Sequence, residues 1–147
     1  MNGKMIVFDG NSILNRAYYG VRPLNTKDGF PTNALFGFVN ILQKNLAPGY
    51  DYAAIAYDLR EKTFRHIRCD TYKATRRPMP EDLAKQLPVS KEIAELMGLH
   101  VLTAAGFEAD DILGTLAAVC RKNGDECFIA TGDRDSLQLA HGGVKVL

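Results

Sequence analysis

A chain of 147 residues, 46% hydrophobic and 24% charged, is long enough for one buried core and has a soluble globular composition. No apolar run reaches the ~18–20 residues of a membrane span, and the start MNGKMIVFDG lacks the apolar centre of a secretory signal. The formal charge is only +1, but residues 62–77 carry six Lys/Arg against one Asp, and residues 107–135 carry seven Asp/Glu against three Lys/Arg; this pairing suits a polyanion held near bound cations.

MIVF (5–8) predicts a buried strand. ALFGFVNILQKNL (34–46) has apolar residues at 35, 38, 39, 42 and 46, the spacing of a helix face. YAAIAY (52–57) predicts a second strand. The stretch 59–82 is basic, carries Pro78 and Pro80, and is expected to leave the sheet as an excursion. Pro88 opens a predicted helix through KEIAELM that stops at Gly98. HVLTA (100–104) follows as a strand, DILGTLAAVC (111–120) as a helix, CFIAT (127–131) as a strand, SLQLA as a short helix and VKVL (144–147) as a strand. Strands alternating with helices imply a three-layer α/β domain around a mostly parallel central sheet of about five strands. Cys69, Cys120 and Cys127 have no metal-type spacing and read as reduced thiols of a cytoplasmic protein.

Sites in open parallel sheets form at the carboxyl ends of the strands. Asp9 directly follows the first strand and Asp58 the second. Glu108, Asp110 and Asp111 follow the third across AGF, and Asp133 and Asp135 follow the fourth across one glycine. Taken singly, each is an ordinary helix start or turn residue. Together they form an acidic rim, which is costly unless multivalent cations neutralise it. No Cys or His accompanies them, so the donor set is all oxygen and suits Mg²⁺ or Mn²⁺. The rim has more carboxylates than one six-coordinate ion uses, which points to a two-metal site for phosphodiester hydrolysis. Lys73, Arg76 and Arg77 follow Tyr72 and offer phosphate contacts beside a ring that can stack on a base. Arg16, about one turn beyond Asp9, is either a phosphate contact or an ordinary helix-surface arginine. His66, His100 and His141 lie in unrelated contexts.

VFDGNSILNRAYYG, AYDLREKTFRHIRCDTYKATRRPMPEDL, GFEADDILGTLA and TGDRDSLQL occur in that order over nearly the whole chain. In that order they resemble the 5′-nuclease family, above all the 5′–3′ exonuclease branch found at the N-terminus of bacterial DNA polymerases. The resemblance implies a PIN-like fold and a two-metal site that cuts 5′ flaps and 5′ ends of DNA in replication and repair. By motif, Asp9, Asp58, Glu108, Asp110, Asp111, Asp133 and Asp135 match metal carboxylates. Tyr72, Lys73 and Arg76 match a helical arch, spanning about 59–82, through which the 5′ strand passes. Lys73, Arg76, Asp9 and Asp110 are then expected to carry the reaction, with Arg16, Tyr72 and Arg77 on the DNA. The resemblance also implies that residues 1–147 are the catalytic front of a longer domain. A helix–hairpin DNA-gripping part and further aspartates for the second metal would lie beyond Leu147, leaving that metal incomplete here. The implied partners are DNA and a covalently linked polymerase domain in the parent protein, with no membrane.

Three other readings use some of the same residues. One is a metal- and DNA-binding module without turnover. Another is a phosphatase with an aspartyl nucleophile at Asp9, which wants a second acid where Asn11 stands. The third is a PIN-type ribonuclease, against which the arch motif speaks.

Overall fold

The computed structural model describes residues 2–59, 79–132, 138, 140 and 142–147. In chain order the elements are β1 (Lys4–Asp9), α1 (Gly10–Gly20), α2 (Asn33–Leu46), β2 (Tyr52–Ala56), α3 (Glu81–Leu96), β3 (His100–Leu102), α4 (Ala109–Asn123), β4 (Glu126–Ala130) and β5 (Val144–Val146). The five strands form one sheet in the order β3-β2-β1-β4-β5, and every neighbouring pair is parallel. The three-layer α/β expectation holds.

Alternation along the strands assigns each helix its face. Ile6 and Phe8 of β1 pack with Ile13, Leu14, Phe38, Leu42 and Leu83, so α1, α2 and α3 cover one face. Val7, Ala54 and Ala56 pack with Leu113, Ala117 and Cys120, so α4 covers the other. Asp9 has the parity of Val7, and Asp58 that of Ala56. Both carboxylates therefore fall on the side of α4. Cys120 and Cys127 are buried thiols in this second core, with Cys120 Sγ 3.8 Å from Met5 Sδ. Among the described residues, no helix is long and apolar enough to cross a membrane.

Three expectations need correction or qualification. The helix α1 (Gly10–Gly20) is implied by the sequence only through the helix-surface reading of Arg16 and has no predicted bounds there, because DGNS reads equally well as a turn. Pro88 does not open a helix but lies inside α3, which begins at Glu81. Its two extra turns are held by the buried Leu83 and Gln86 and by the Ala84 N–H on the Pro80 carbonyl at 2.9 Å; these ties outweigh the ~3 kcal/mol that an interior proline costs. Most of the predicted excursion and most of SLQLA lie outside the described residues.

Gln86 explains why α3 starts early. No side chain caps the N-terminus of α2 from Thr32. Instead Gln86 reaches across: its Oε1 accepts from Leu35 N at 3.0 Å, and its Nε2 donates to Asn33 Oδ1 at 3.0 Å. Asn33 Nδ2 in turn donates to the carbonyls of Tyr18 and Val21. Three helix ends are tied through two buried amides. Gln86→Leu leaves the Leu35 N–H and the Asn33 carbonyl oxygen without this partner, at about 1–3 kcal/mol for a buried orphan. Thermal melting should fall by roughly 2–12 °C, at about 2–4 °C per kcal/mol for a chain of this size. An unchanged melting curve would remove Gln86 from the account.

Candidate metal centre

Chain order and strand order part company at β1. The chain fills one side of β1 with β2 and β3, then crosses to the other side for β4 and β5. Such a switch point opens a crevice at the carboxyl ends of the strands, and Asp9 ends β1 there. Asp9 is 5% exposed and is also the N-cap of α1: its Oδ1 accepts from Ser12 N at 3.1 Å. Its Oδ2 accepts from Thr131 Oγ1 at 3.2 Å, from the residue directly after β4.

Neighbouring carboxylates converge on Asp9. Burial chiefly raises its pKa, the Ser12 N–H lowers it, the charges of Asp110 and Asp58 raise it, and the Thr131 hydroxyl lowers it, with a net value of about 6. A carboxylate so placed is penalised as an anion at neutral pH, and a cation beside it removes the penalty. Asp58 is half-buried; its Oδ1 accepts from Ala109 N at 2.6 Å, at the first residue of α4. That bond ties the end of β2 to the helix carrying Asp110.

Glu108 and Asp111 have a second job. Glu108 is the N-cap of α4 and is 6% exposed. Its N–H donates to Asp111 Oδ2 at 2.9 Å, one half of a capping box. Asp110 lies between them on the first turn. Arg16 is exposed on α1, and its Cδ passes beside Gly132 at the end of β4, so it borders the crevice.

The described structure thus brings together Asp9, Asp58 and Asp110 electrostatically, with Glu108 and Asp111 at the same helix start and Arg16 at the edge. Asp133, Asp135, Tyr72, Lys73, Arg76 and Arg77 lie outside the described residues. Among the described residues no three or more acidic, His or Cys side chains are grouped closely enough to hold a metal ion by themselves. The donors are nevertheless all carboxylate oxygens and Asp9 is buried against like charge, a set whose chemistry fits a hard divalent cation.

Three polar residues of the site were not singled out as site residues from the sequence: Asn11, Ser12 and Thr131. The one available signal was DGNS itself, two more polar side chains directly after a buried strand. Gly10 completes that tetrapeptide for a steric reason. A Cβ there would stand 2.6 Å from Tyr57 Cε1. The Tyr57 ring is fully buried, and its hydroxyl shares a 3.0 Å hydrogen bond with Ser90.

Comparison with known proteins agrees with this geometry. The sequence model of the family described as 5′-3′ exonuclease, N-terminal resolvase-like domain, matches residues 4–147. DNA polymerase I of Caldicellulosiruptor bescii is 42% identical over 144 residues, which make up 97% of this chain and 17% of that protein. Thermostable DNA polymerase I of Thermus aquaticus is 37% identical over 145 residues, 99% of this chain and again 17% of the relative. The chain therefore spans about a sixth of the length of these relatives. Among solved structures, a bacteriophage T5 protein co-crystallised with metal ions superposes with a TM-score of 0.76 at 16% identity, over 98% of this chain and 54% of that one. The T5 flap endonuclease complexed with DNA and metal ions gives 0.72 at 15% identity, over 98% and 54%. The fold is shared with these phage nucleases, and by the family match the chain belongs to the 5′-3′ exonuclease N-terminal resolvase-like domains.

Proposed function

We propose that this chain is the metal-binding rim of a 5′-nuclease that hydrolyses phosphodiester bonds at 5′ ends and 5′ flaps of DNA, working in the cytoplasm and carried, as in its DNA polymerase I relatives, beside a polymerase. The observation that carries the reading is Asp9, buried at the switch point with Asp58 and Asp110 acting on it, in a chain of this family. The T5 relatives that share the fold were crystallised with metal ions and, in one case, with DNA.

Asp9, Asp58 and Asp110, joined by Glu108, Asp111, Asp133 and Asp135, would hold Mg²⁺ or Mn²⁺. A pair of such ions activates a water and stabilises the leaving oxygen of an in-line displacement. Asp9 contributes a fixed carboxylate: both oxygens are already oriented by Ser12 and Thr131, so little reorganisation is left when the cation arrives. Asp58 keeps Oδ2 available while Oδ1 holds α4 in place. Arg16 borders the crevice from α1, where it can meet a phosphate. Lys73, Arg76 and Arg77 would contact the strand's phosphates, Tyr72 would stack on a base, and Lys73 and Arg76 would work at the scissile phosphate.

The test combines Mn²⁺ binding with cleavage of a 5′-labelled flap duplex. Mn²⁺ binding, cleavage in Mg²⁺ or Mn²⁺ and none in EDTA are expected. Mn²⁺ and DNA binding with no cleavage would reduce this chain to a binding module. Failure to bind Mn²⁺ at all would overturn the metal reading.

A further inference from the structure

Asn11 and Ser12 sit in the first turn of α1, where polar side chains commonly satisfy the helix's own free N–H groups. Asp9 already fills that role through Ser12 N. Asn11 and Ser12 use their side chains elsewhere. Asn11 Oδ1 accepts from the N–H of Asp58, 47 residues away, at 2.8 Å. Ser12 Oγ accepts from the N–H of Gly132, 120 residues away, at 2.7 Å. Thr131 Oγ1 lies 3.5 Å from the same Ser12 oxygen and donates to Asp9.

These two bonds begin where the sheet stops. The β1–β2 register ends at Asp9 opposite Ala56, and the β1–β4 register ends at Phe8 opposite Ala130. Asp58 and Gly132 both lie two residues past those last partners. No ladder bond from β1 reaches them, yet their backbone must be fixed if Asp58 and Thr131 are to keep their places beside Asp9. Gly132 allows the approach, since a Cβ there would stand 2.8 Å from Ser12 Oγ. Gly132 also directly precedes Asp133 in sequence.

We propose that Asn11 and Ser12 are positioning residues for the metal site: from one tetrapeptide, DGNS, they clamp the ends of β2 and β4 to the end of β1 and so hold Asp58 and Thr131 in place around Asp9. The inference rests on the metal reading of Asp9 and Asp58 and adds to it the two groups that hold the rim in register. It also accounts for the amide at position 11, which accepts a backbone N–H from Asp58 without adding another negative charge to the rim.

The test is Mn²⁺ affinity of the chain, followed by electron paramagnetic resonance of free Mn²⁺, with thermal melting measured in parallel. Ser12→Ala and Asn11→Ala are each expected to weaken Mn²⁺ binding by roughly 10–100-fold, the usual cost of losing a group that orients metal ligands. Ser12→Thr, which keeps the hydroxyl, should restore most of the affinity. Gln86→Leu serves as the control for stability alone: it should lower the melting temperature and leave Mn²⁺ affinity unchanged. If Ser12→Ala and Asn11→Ala melt lower but bind Mn²⁺ like the parent chain, the two residues are merely structural and the proposal fails. If Gln86→Leu weakens Mn²⁺ binding as much as they do, general loosening explains the effect and the proposal also fails. A parent chain that binds no Mn²⁺ instead removes the metal reading beneath it, an outcome distinct from both.

Discussion

Asp9→Asn should stabilise the metal-free chain above pH 6 while abolishing metal-dependent cleavage. The Asp9 carboxyl is raised to about 6 from the ordinary 3.8, first by burial and then by the charges of Asp110 and Asp58, against the opposing Ser12 N–H and Thr131 hydroxyl. A group raised on folding favours the fold in its protonated form. Its contribution is fully present below the unfolded value of 3.8 and is lost as pH rises through about 6. At pH 8 the ionised Asp9 therefore costs about 3 kcal/mol relative to the protonated form, at 1.36 kcal/mol per pKa unit. Asn has the same shape and no charge. Its Oδ1 still accepts from Ser12 N, and its Nδ2 can donate to the Thr131 hydroxyl.

In EDTA at pH 8 the variant should melt roughly 6–12 °C above the parent, at about 2–4 °C per kcal/mol. The gap should close toward about pH 3, below the unfolded value of 3.8, where Asp9 is largely protonated in both states. Added Mg²⁺ should raise the parent and leave the variant behind, because only a ligand that binds the folded form stabilises it. Equal melting in EDTA at pH 8 would mean that Asp9 is not strained by its neighbours, and the electrostatic case for a cation would lapse.

Much of this site was legible because alternating strands and a parallel sheet leave little freedom. Once MIVF, YAAIAY, HVLTA and CFIAT are strands of one parallel sheet, the residues after them must share an edge. The order of the strands was not legible. Nothing in the sequence says that β1 is central, and that central position is what places Asp9 between Asp58 and Thr131. α3 was misjudged at its start because proline has a strong local signal and Gln86 has none; a buried amide that caps another helix is invisible until the two helices are packed together. Asn11 and Ser12 were hidden for the same reason. Their partners are 47 and 120 residues away, whereas side chains of their type usually bond locally. GFEADD was read as a single block of ligands, and the structure divides it: Asp110 acts on Asp9, while Asp111 also bonds the N–H of Glu108.

That division gives the second large effect. Asp110→Asn combined with Asp111→Asn should lower metal-dependent flap cleavage by about a thousandfold or more, since removing two carboxylates from a metal rim forfeits several kcal/mol at 1.36 kcal/mol per tenfold. The single variants should separate charge from capping. Asp110→Asn removes one of the charges that raise Asp9, so in EDTA its melting temperature should stay level or rise even as cleavage collapses. Asp111→Ala removes the acceptor for the Glu108 N–H, and losing a cap of this kind costs about 1 kcal/mol. Its melting temperature should drop by roughly 2–4 °C in EDTA. Opposite shifts in melting from adjacent residues, with cleavage lost in the double variant, would tie function to the charge and stability to the cap. Undiminished cleavage in the double variant would mean that the carboxylates at the start of α4 do not hold the metal, and the nuclease rim would have to be sought elsewhere on the sheet.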